Sequence, residues 1–348
     1  MKRRHFFLAA SSLLTCLGLT GSMKPASADD SSPPGQPEEA RADAGHALLP
    51  PLPEASSSLG AVASEGFLYV YGGHVAPVHT YSTETASGRF HRLAIEAALA
   101  KRATWEELAT GPRLQGMNLA AHRGLIYRVG GMESRNAPEA ETDNVSVATV
   151  AQFDPATASW TNLPPLPQPR SSHDVVLLGT KLYVVGGWNM LGKDDGEEWC
   201  ETMVVLDLAA ASPQWRSIPQ PFTRRALIAA PFKDRLWVIG GFTDHEEVSQ
   251  QVDIFDPVRG TWSRGPDLPA DGVNGFAPAA CVLDGRLLVS VADGSLLERE
   301  GQAGAWKTVA HTSPRIVHRM VPAPDGVILV GGAAGKENLE RVELVTLR

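Results

Sequence analysis

Apolar residues in this 348-residue chain gather in short, dense runs rather than at helical spacing. Lys181-Leu-Tyr-Val-Val-Gly-Gly187 shows the pattern, and Leu68-Tyr-Val-Tyr-Gly-Gly73, Ile126-Tyr-Arg-Val-Gly-Gly131 and Leu236-Trp-Val-Ile-Gly-Gly241 repeat it closely. Val327-Ile-Leu-Val-Gly-Gly332 has no aromatic residue, and Leu287-Leu-Val-Ser-Val-Ala292 is a degenerate copy without the glycines. Runs of this length that barely alternate predict strands covered on both faces. The paired glycines permit positive φ and the close approach of a neighbouring backbone. Six such copies in series predict a repeat architecture.

A second landmark sets the period. Trp105, Trp160, Trp215, Trp262 and Trp306 precede the first position of the next Gly-Gly slot by 25, 26, 25, 29 and 25 residues. The interval from each slot forward to its own tryptophan varies from 14 to 32 residues. A constant half and a variable half predict a β unit with one loop free to grow. Turn elements such as Trp160-Thr-Asn-Leu-Pro-Pro-Leu-Pro-Gln-Pro-Arg170 carry the chain from one unit to the next.

In these features residues 47–348 resemble the kelch repeat, whose family fold is a β-propeller of four-stranded blades. The fold expected is all-β, a six-bladed kelch-type propeller. Helical repeats fit poorly, because the repeated segments are β-rich and broken by Gly and Pro. The last copy ends one strand after its Gly-Gly and has no tryptophan strand. Near the other end, Ala47-Leu-Leu-Pro-Pro-Leu-Pro53 nearly copies Thr161-Asn-Leu-Pro-Pro-Leu-Pro167, with His46 in the Trp160 slot, 26 residues before Gly72. We therefore expect this N-terminal piece to be the outer strand of the sixth blade, closing the ring.

Residues 29–46 are polar, Pro-rich and aperiodic, and are expected to be a flexible linker. Residues 1–28 have the form of an export signal peptide. Lys2-Arg-Arg4 precedes an apolar run at 6–19, too short to span a bilayer, and Ala26-Ser-Ala28 offers a cleavage site. Arg3-Arg4-His-Phe-Phe-Leu8 is similar to the twin-arginine motif and Lys24 suits that route, with the general pathway as the alternative. A lipoprotein reading of Cys16 is disfavoured by Thr15, where a small Gly or Ala is expected. The expected location is periplasmic or secreted, without stable membrane insertion after cleavage. Formal charge is −8, and residues 1–28 hold four basic and no acidic residues, which leaves the remainder at −12. Such a chain is poorly suited to coating nucleic acid. A monomer is expected.

The variable halves carry the individuality. An insert at 88–103 contains Leu93-Ala-Ile-Glu-Ala-Ala-Leu-Ala100, which predicts a helical turn or two. Acidic inserts follow at 132–145, 188–201 and 242–249. The resemblance places these around one mouth of the central channel. Counting back 16 residues from each Gly-Gly slot gives Ser56, Leu114, Arg170, Arg224, Gly275 and Arg315, with Arg113 beside Leu114. Equivalent positions share one ring by pseudo-symmetry, so Arg113, Arg170, Arg224 and Arg315 are candidate ligand-binding residues for a carboxylate or sulfate. The competing reading is packing, since Pro-Arg at this place is common in the kelch repeat and often serves blade-to-blade contact. His318, Arg319 and Arg225 are further candidates for the ring.

Other chemistry is sparse. No metal or cofactor is expected: the histidines show no HxH or HExxH pairing, and no nucleophile elbow or phosphate loop appears. His74 and His79 are expected at the surface. Asp194-Asp-Gly-Glu-Glu198 is expected to be a solvated acidic loop rather than a calcium site. Cys200 and Cys281 fall in non-adjacent units and are not expected to pair, with Cys281 a buried apolar residue. Three function classes remain. The first is a recognition module binding a protein or glycan. The second, by resemblance, is an epimerase or mutarotase acting on an acidic sugar such as N-acetylneuraminate, which needs an acid–base pair from residues such as Glu198, Glu201, Glu246 or Glu247. The third is a copper radical oxidase, which the resemblance would require to carry a Cys–Tyr crosslink; neither cysteine neighbours a tyrosine.

Overall fold

A computed structural model of the chain describes residues 45–269, 272–299 and 304–347. The expected signal peptide, and all of the expected linker except residues 45 and 46, lie outside them. The described chain is all-β apart from the helix Ile95–Leu99, which falls inside the segment predicted to be helical. Among the described residues, six four-stranded antiparallel sheets share one plan. Sheet 3 shows it: Asp174–Leu178, Lys181–Val185, Thr202–Asp207 and Trp215–Pro219 pair in that order. The apolar run is the second strand, flanked on both edges. Both of its faces are covered by neighbouring sheets, Leu182 and Val184 packing on one side and Tyr183 and Val185 on the other, which explains the lack of alternation.

The first strands of sheets 1 to 6 are Gly60–Ser64, Asn118–His122, Asp174–Leu178, Ile228–Phe232, Ala279–Leu283 and Arg319–Ala323. Each touches the next, and Arg319–Ala323 touches Gly60–Ser64. Sheets therefore meet face to face, and one apolar cluster fills each gap. Between sheets 3 and 4 lie Val185, Met203, Leu227 and Phe255. Between sheets 6 and 1 lie Leu49, Leu59, Val70, Ile328 and Val342.

Both sequence landmarks have a physical role at these gaps. In the Gly-Gly pair, the second glycine donates its N–H to the next sheet: Gly131 to the Arg170 carbonyl at 2.9 Å, Gly187 to Arg224 at 2.8 Å, Gly332 to Ser56 at 2.9 Å. A Cβ on Gly186 would stand 2.7 Å from the Arg224 carbonyl oxygen, at a φ of 67°. No side chain fits there. The tryptophan indoles point the other way. Trp160 Nε1 donates to the Ala109 carbonyl at 2.8 Å, Trp215 to Pro164 at 2.8 Å, Trp262 to Pro219 at 3.0 Å and Trp306 to Pro266 at 3.0 Å. Each acceptor lies four residues after the preceding sheet's own tryptophan. Trp105 donates to Pro50 at 3.1 Å, four residues after His46.

That last bond bears on the N-terminal strand. His46–Leu48 pairs antiparallel with Val342–Thr346, in the register His46↔Val345, Ala47↔Leu344 and Leu48↔Glu343. The paired stretch is shorter than 47–53 and begins one residue earlier; beyond it Leu49 and Leu52 are buried while Leu48 is exposed.

The inserts of sheets 2 and 3 are not simple loops. Met132–Ser134 pairs with Asn144–Ser146, Trp188–Gly192 pairs with Gly196–Trp199, and a Leu191↔Val145 pair joins the two hairpins into one further sheet.

Candidate functional site

The recurring arginines do not face a mouth. Arg170, Arg224 and Arg315 are 0%, 1% and 1% exposed. Their Nη1 atoms donate to carbonyls 16 residues on: Gly186 at 3.3 Å, Gly240 at 2.8 Å and Gly331 at 3.5 Å. Ser56 reproduces the bond through its hydroxyl, 3.1 Å from the Gly72 carbonyl oxygen. The interval that singled these residues out is thus a bond within each sheet, tying the lead-in of the first strand to the end of the second. Arg224 and Arg315 also pair with Asp253 and Glu343. Among the described residues Arg170 has no acidic partner, and it donates instead to Thr202 O at 2.9 Å. Arg113 is exposed and donates to Thr83 O at 3.2 Å. The expectation of a four-arginine ring at the mouth is corrected accordingly: three of the side chains point into their own sheets, where carbonyl groups need donors.

His318 and Arg319 also turn inward. His318 is buried against Ser290 Oγ at 3.0 Å. Arg319 reaches Asp174 at 3.3 Å, Leu59 O at 3.0 Å and Met117 O at 2.9 Å. Asp174 in turn accepts from Asn118 Nδ2 and Ala229 N, both at 2.7 Å. This network links sheets 6, 1, 2, 3 and 4 at the centre. Burial pushes the Asp174 carboxyl up and Arg319 opposes it.

Two residues after each recurring position stands a residue of positive φ: Ser58 at 52°, Gly116 at 62°, Ser172 at 52°, Ala226 at 50°, Ala277 at 46° and Val317 at 48°. For a β-branched residue such as Val317 this conformation carries strain. The reason is a main-chain hoop that runs by hydrogen bonds from Val317 through Ser58 as far as Ala277. Ser58 N donates to Val317 O, Gly116 N to Ser58 O, Ser172 N to Gly116 O, Ala226 N to Ser172 O and Ala277 N to Ala226 O, at 2.6–2.9 Å.

The hoop floors a cavity of about 250 Å³. Its walls come from two repeat positions. One is the residue just before the hoop, where Ser57, Gln115, Arg225 and Ile316 stand; the other directly follows Gly-Gly and supplies His74, Met132, Trp188 and Ala333. Backbone bridges such as Ser57↔His74, Gln115↔Met132 and Arg225↔Phe242 hold the two together. Tyr81, Met190, Glu197 and Phe276 complete the rim from the inserts and from sheet 5.

The Arg225 guanidinium lies 4.1 Å over the Trp188 ring and 4.9 Å over Phe242. Burial pulls its pKa down to about 10, against the fields of Tyr81 and Glu197, so it stays charged at neutral pH. His74 is buried, not at the surface as expected; His79 is exposed. Burial lowers the pKa of His74, and partial desolvation by its neighbours lowers that of the otherwise exposed His79, so both favour the neutral imidazole. The ring of His74 sits 5.4 Å from that of Tyr81. Arg225 Nε, Gln115 Nε2, Trp188 Nε1 and His74 Nδ1 are buried without a hydrogen-bond partner among the described residues. Glu197 lines the cavity, whereas Glu198, Glu201, Glu246 and Glu247 do not and are exposed. Cys200 and Cys281 are free and buried, with burial pushing Cys281 up to about 12. Among the described residues no cluster of His, Cys, Asp and Glu is arranged to hold a metal ion, and no helix is long and apolar enough to cross a membrane.

Sequence reasoning named Arg225 but missed Gln115, Trp188, Tyr81 and Phe276. The available signal was register: the position after Gly-Gly changes chemistry from copy to copy while its neighbours repeat.

Comparison with known proteins agrees with the repeat. A family model described as the Kelch motif matches residues 169–221 and 229–269. Kelch-like protein 36 of Mus musculus is 28% identical over 199 residues, 56% of this chain and 30% of that protein. Beta-scruin of Limulus polyphemus is 22% identical over 268 residues, 70% of this chain and 27% of that protein. The chain spans about a third of the length of the curated relatives it matches. Among solved structures, that of YjhT superimposes with a TM-score of 0.67 at 18% identity, covering 87% of this chain and 100% of the other. That likeness is one of fold. Motif, spacing and architecture together fit the kelch-repeat family.

Proposed function

We propose that the chain is an exported recognition module, a six-bladed propeller completed by the strand His46–Leu48, which binds a protein or glycan through the cavity on its insert-bearing side. One observation carries the binding role: four buried hydrogen-bonding atoms without partners, on Arg225, Gln115, Trp188 and His74, border the same space. Buried polar groups are normally satisfied, and a ligand that satisfies these gains what folding left unmade. The ring of contacts between inner strands and the apolar cluster between sheets 6 and 1 support the blade reading. The kelch repeats support a protein partner only as a class.

A glycan array and a protein-capture screen on the secreted chain test the binding role. Retention should be lost in Trp188→Ala and kept in a variant of the distant exposed Val258. Equal retention by both variants would remove the cavity from the account. Export is checked separately: replacing Arg3 and Arg4 by lysine should hold the precursor inside the cell, and normal export would exclude the twin-arginine route. The enzyme reading has its own support in His74 and His79, both favouring the neutral form that a general base needs, beside Tyr81 and Glu197. Faster anomeric exchange of a bound acidic sugar, followed by NMR, would favour it over binding alone.

A further inference from the structure

We propose that the occupant of this cavity is an organic monocarboxylate with an apolar body, its carboxylate on Arg225 and its body among Trp188, Met132, Met190 and Phe276. The inference rests on the recognition reading above and names the chemistry of that same site.

The unpartnered atoms decide what the ligand must bring. Arg225 Nε, Trp188 Nε1 and Gln115 Nε2 are all N–H donors. His74 Nε2 faces the Pro77 carbonyl at 3.2 Å, which accepts only, so Nε2 carries the proton and the neutral ring offers Nδ1 as an acceptor. The cavity thus asks for several acceptors and a single donor. A carboxylate supplies the acceptors, and one hydroxyl or N–H on the ligand would serve His74. The wall has a polar part, with Ser57, Ser58, Asn144 and Ser172, and an apolar part, with Met132, Met190, Phe276 and Ile316, against which the hydroxyls of a polyhydroxylated body would be stranded.

Charge narrows the choice further. The guanidiniums of Arg224, Arg315 and Arg319 are each paired with an acid of the chain, and that of Arg170, without an acid among the described residues, is turned into its own sheet towards the Gly186 and Thr202 carbonyls. Arg225 makes no ion pair among the described residues; its guanidinium lies over two aromatic rings, and its buried Nε–H, without a partner among those residues, is left for a planar acceptor. Glu197, exposed at the rim, opposes a second negative charge, so a monoanion fits better than a phosphate dianion. The volume suits a small molecule, and methionines adapt to its shape.

Titration of the full mature chain tests this, reading the indole N–H resonance of Trp188 (assigned with Trp188→Phe) and calorimetry. The probes are phenylacetate and hexanoate, their neutral amides, phenyl phosphate, and the polyhydroxy acids glucuronate and N-acetylneuraminate. Phenylacetate or hexanoate should shift the Trp188 resonance and bind at least about tenfold more tightly than the matching amide, the difference expected for a hydrogen bond to a charged partner. Arg225→Gln should abolish that preference. Glu197→Gln, an exposed rim change that does not depend on Arg225 folding correctly, should tighten carboxylate binding. Equal binding of acid and amide, or weaker carboxylate binding in Glu197→Gln, overturns the proposal. Tighter binding of the polyhydroxy acids or of phenyl phosphate overturns the ligand class while leaving the recognition role standing. If no probe moves Trp188, and the array and capture screens are also blank, the recognition role falls with it.

Discussion

Arg224 and Arg170 occupy equivalent positions but differ in what their removal leaves behind. Arg224→Met strands the buried Asp253, whose remaining partner Arg264 lies half exposed at 3.3 Å, and should cost about 3–5 kcal/mol. Arg170→Met leaves no orphaned charge, only the Gly186 and Thr202 carbonyls, and should cost about 1–3 kcal/mol in a urea titration. Equal losses would mean that the ion pair adds nothing. Nearby, His173 and His318 are fully enclosed, and burial together with neighbouring arginines holds both near pKa 3, against 6.5 when free. Between those values the unfolded chain binds protons that the folded one refuses. Stability is therefore complete above pH 6.5 and falls as pH drops towards 3, by about 1.4 kcal/mol per pH unit for each histidine. Melting curves from pH 7.5 to 4 should show this slope, reduced in His173→Gln. The sequence made the arginine position legible through its 16-residue interval, because that interval is a real bond. It could not give the direction of the side chain: pseudo-symmetry fixes a position, and one step along an extended chain turns Arg224 inward and Arg225 to the cavity.

At the scale of elements, the apolar runs, the Gly-Gly ends and the tryptophans were all readable, since each marks a contact repeated from sheet to sheet. The hairpins of the inserts were not, because Leu191 pairs with Val145 across two inserts and no local pattern records a partner so distant. The N-terminal strand was legible through its likeness to residues 161–167 and through the last copy's lack of a tryptophan strand. Its place can be weighed by truncation. Removing residues 29–45 should leave the melting temperature almost unchanged. Removing 29–54 deletes the pairing with Val342–Thr346, the acceptor of the Trp105 indole, and the buried Leu49 and Leu52, each worth about 1.5–3 kcal/mol. Equal melting temperatures would show that the strand is dispensable.

For the whole molecule, the composition and repeat count spoke to architecture, while the central Arg319–Asp174 network was invisible, because it joins residues 145 apart with no shared motif. The same holds for the hoop of Ser58, Gly116, Ser172, Ala226, Ala277 and Val317. Arrays of repeats commonly open unit by unit, since each repeat touches only its neighbours. Here detaching sheet 2, 3 or 4 breaks hoop bonds on two sides, and the Asp174 network with them. Amide hydrogens of Gly116, Ser172, Ala226 and Ala277 should therefore exchange with solvent at one common free energy, equal to that of global unfolding, whereas those of the insert hairpins should exchange earlier. A staircase of separate values around the hoop would reveal independent units; a single value would mean that this repeat protein melts as one piece.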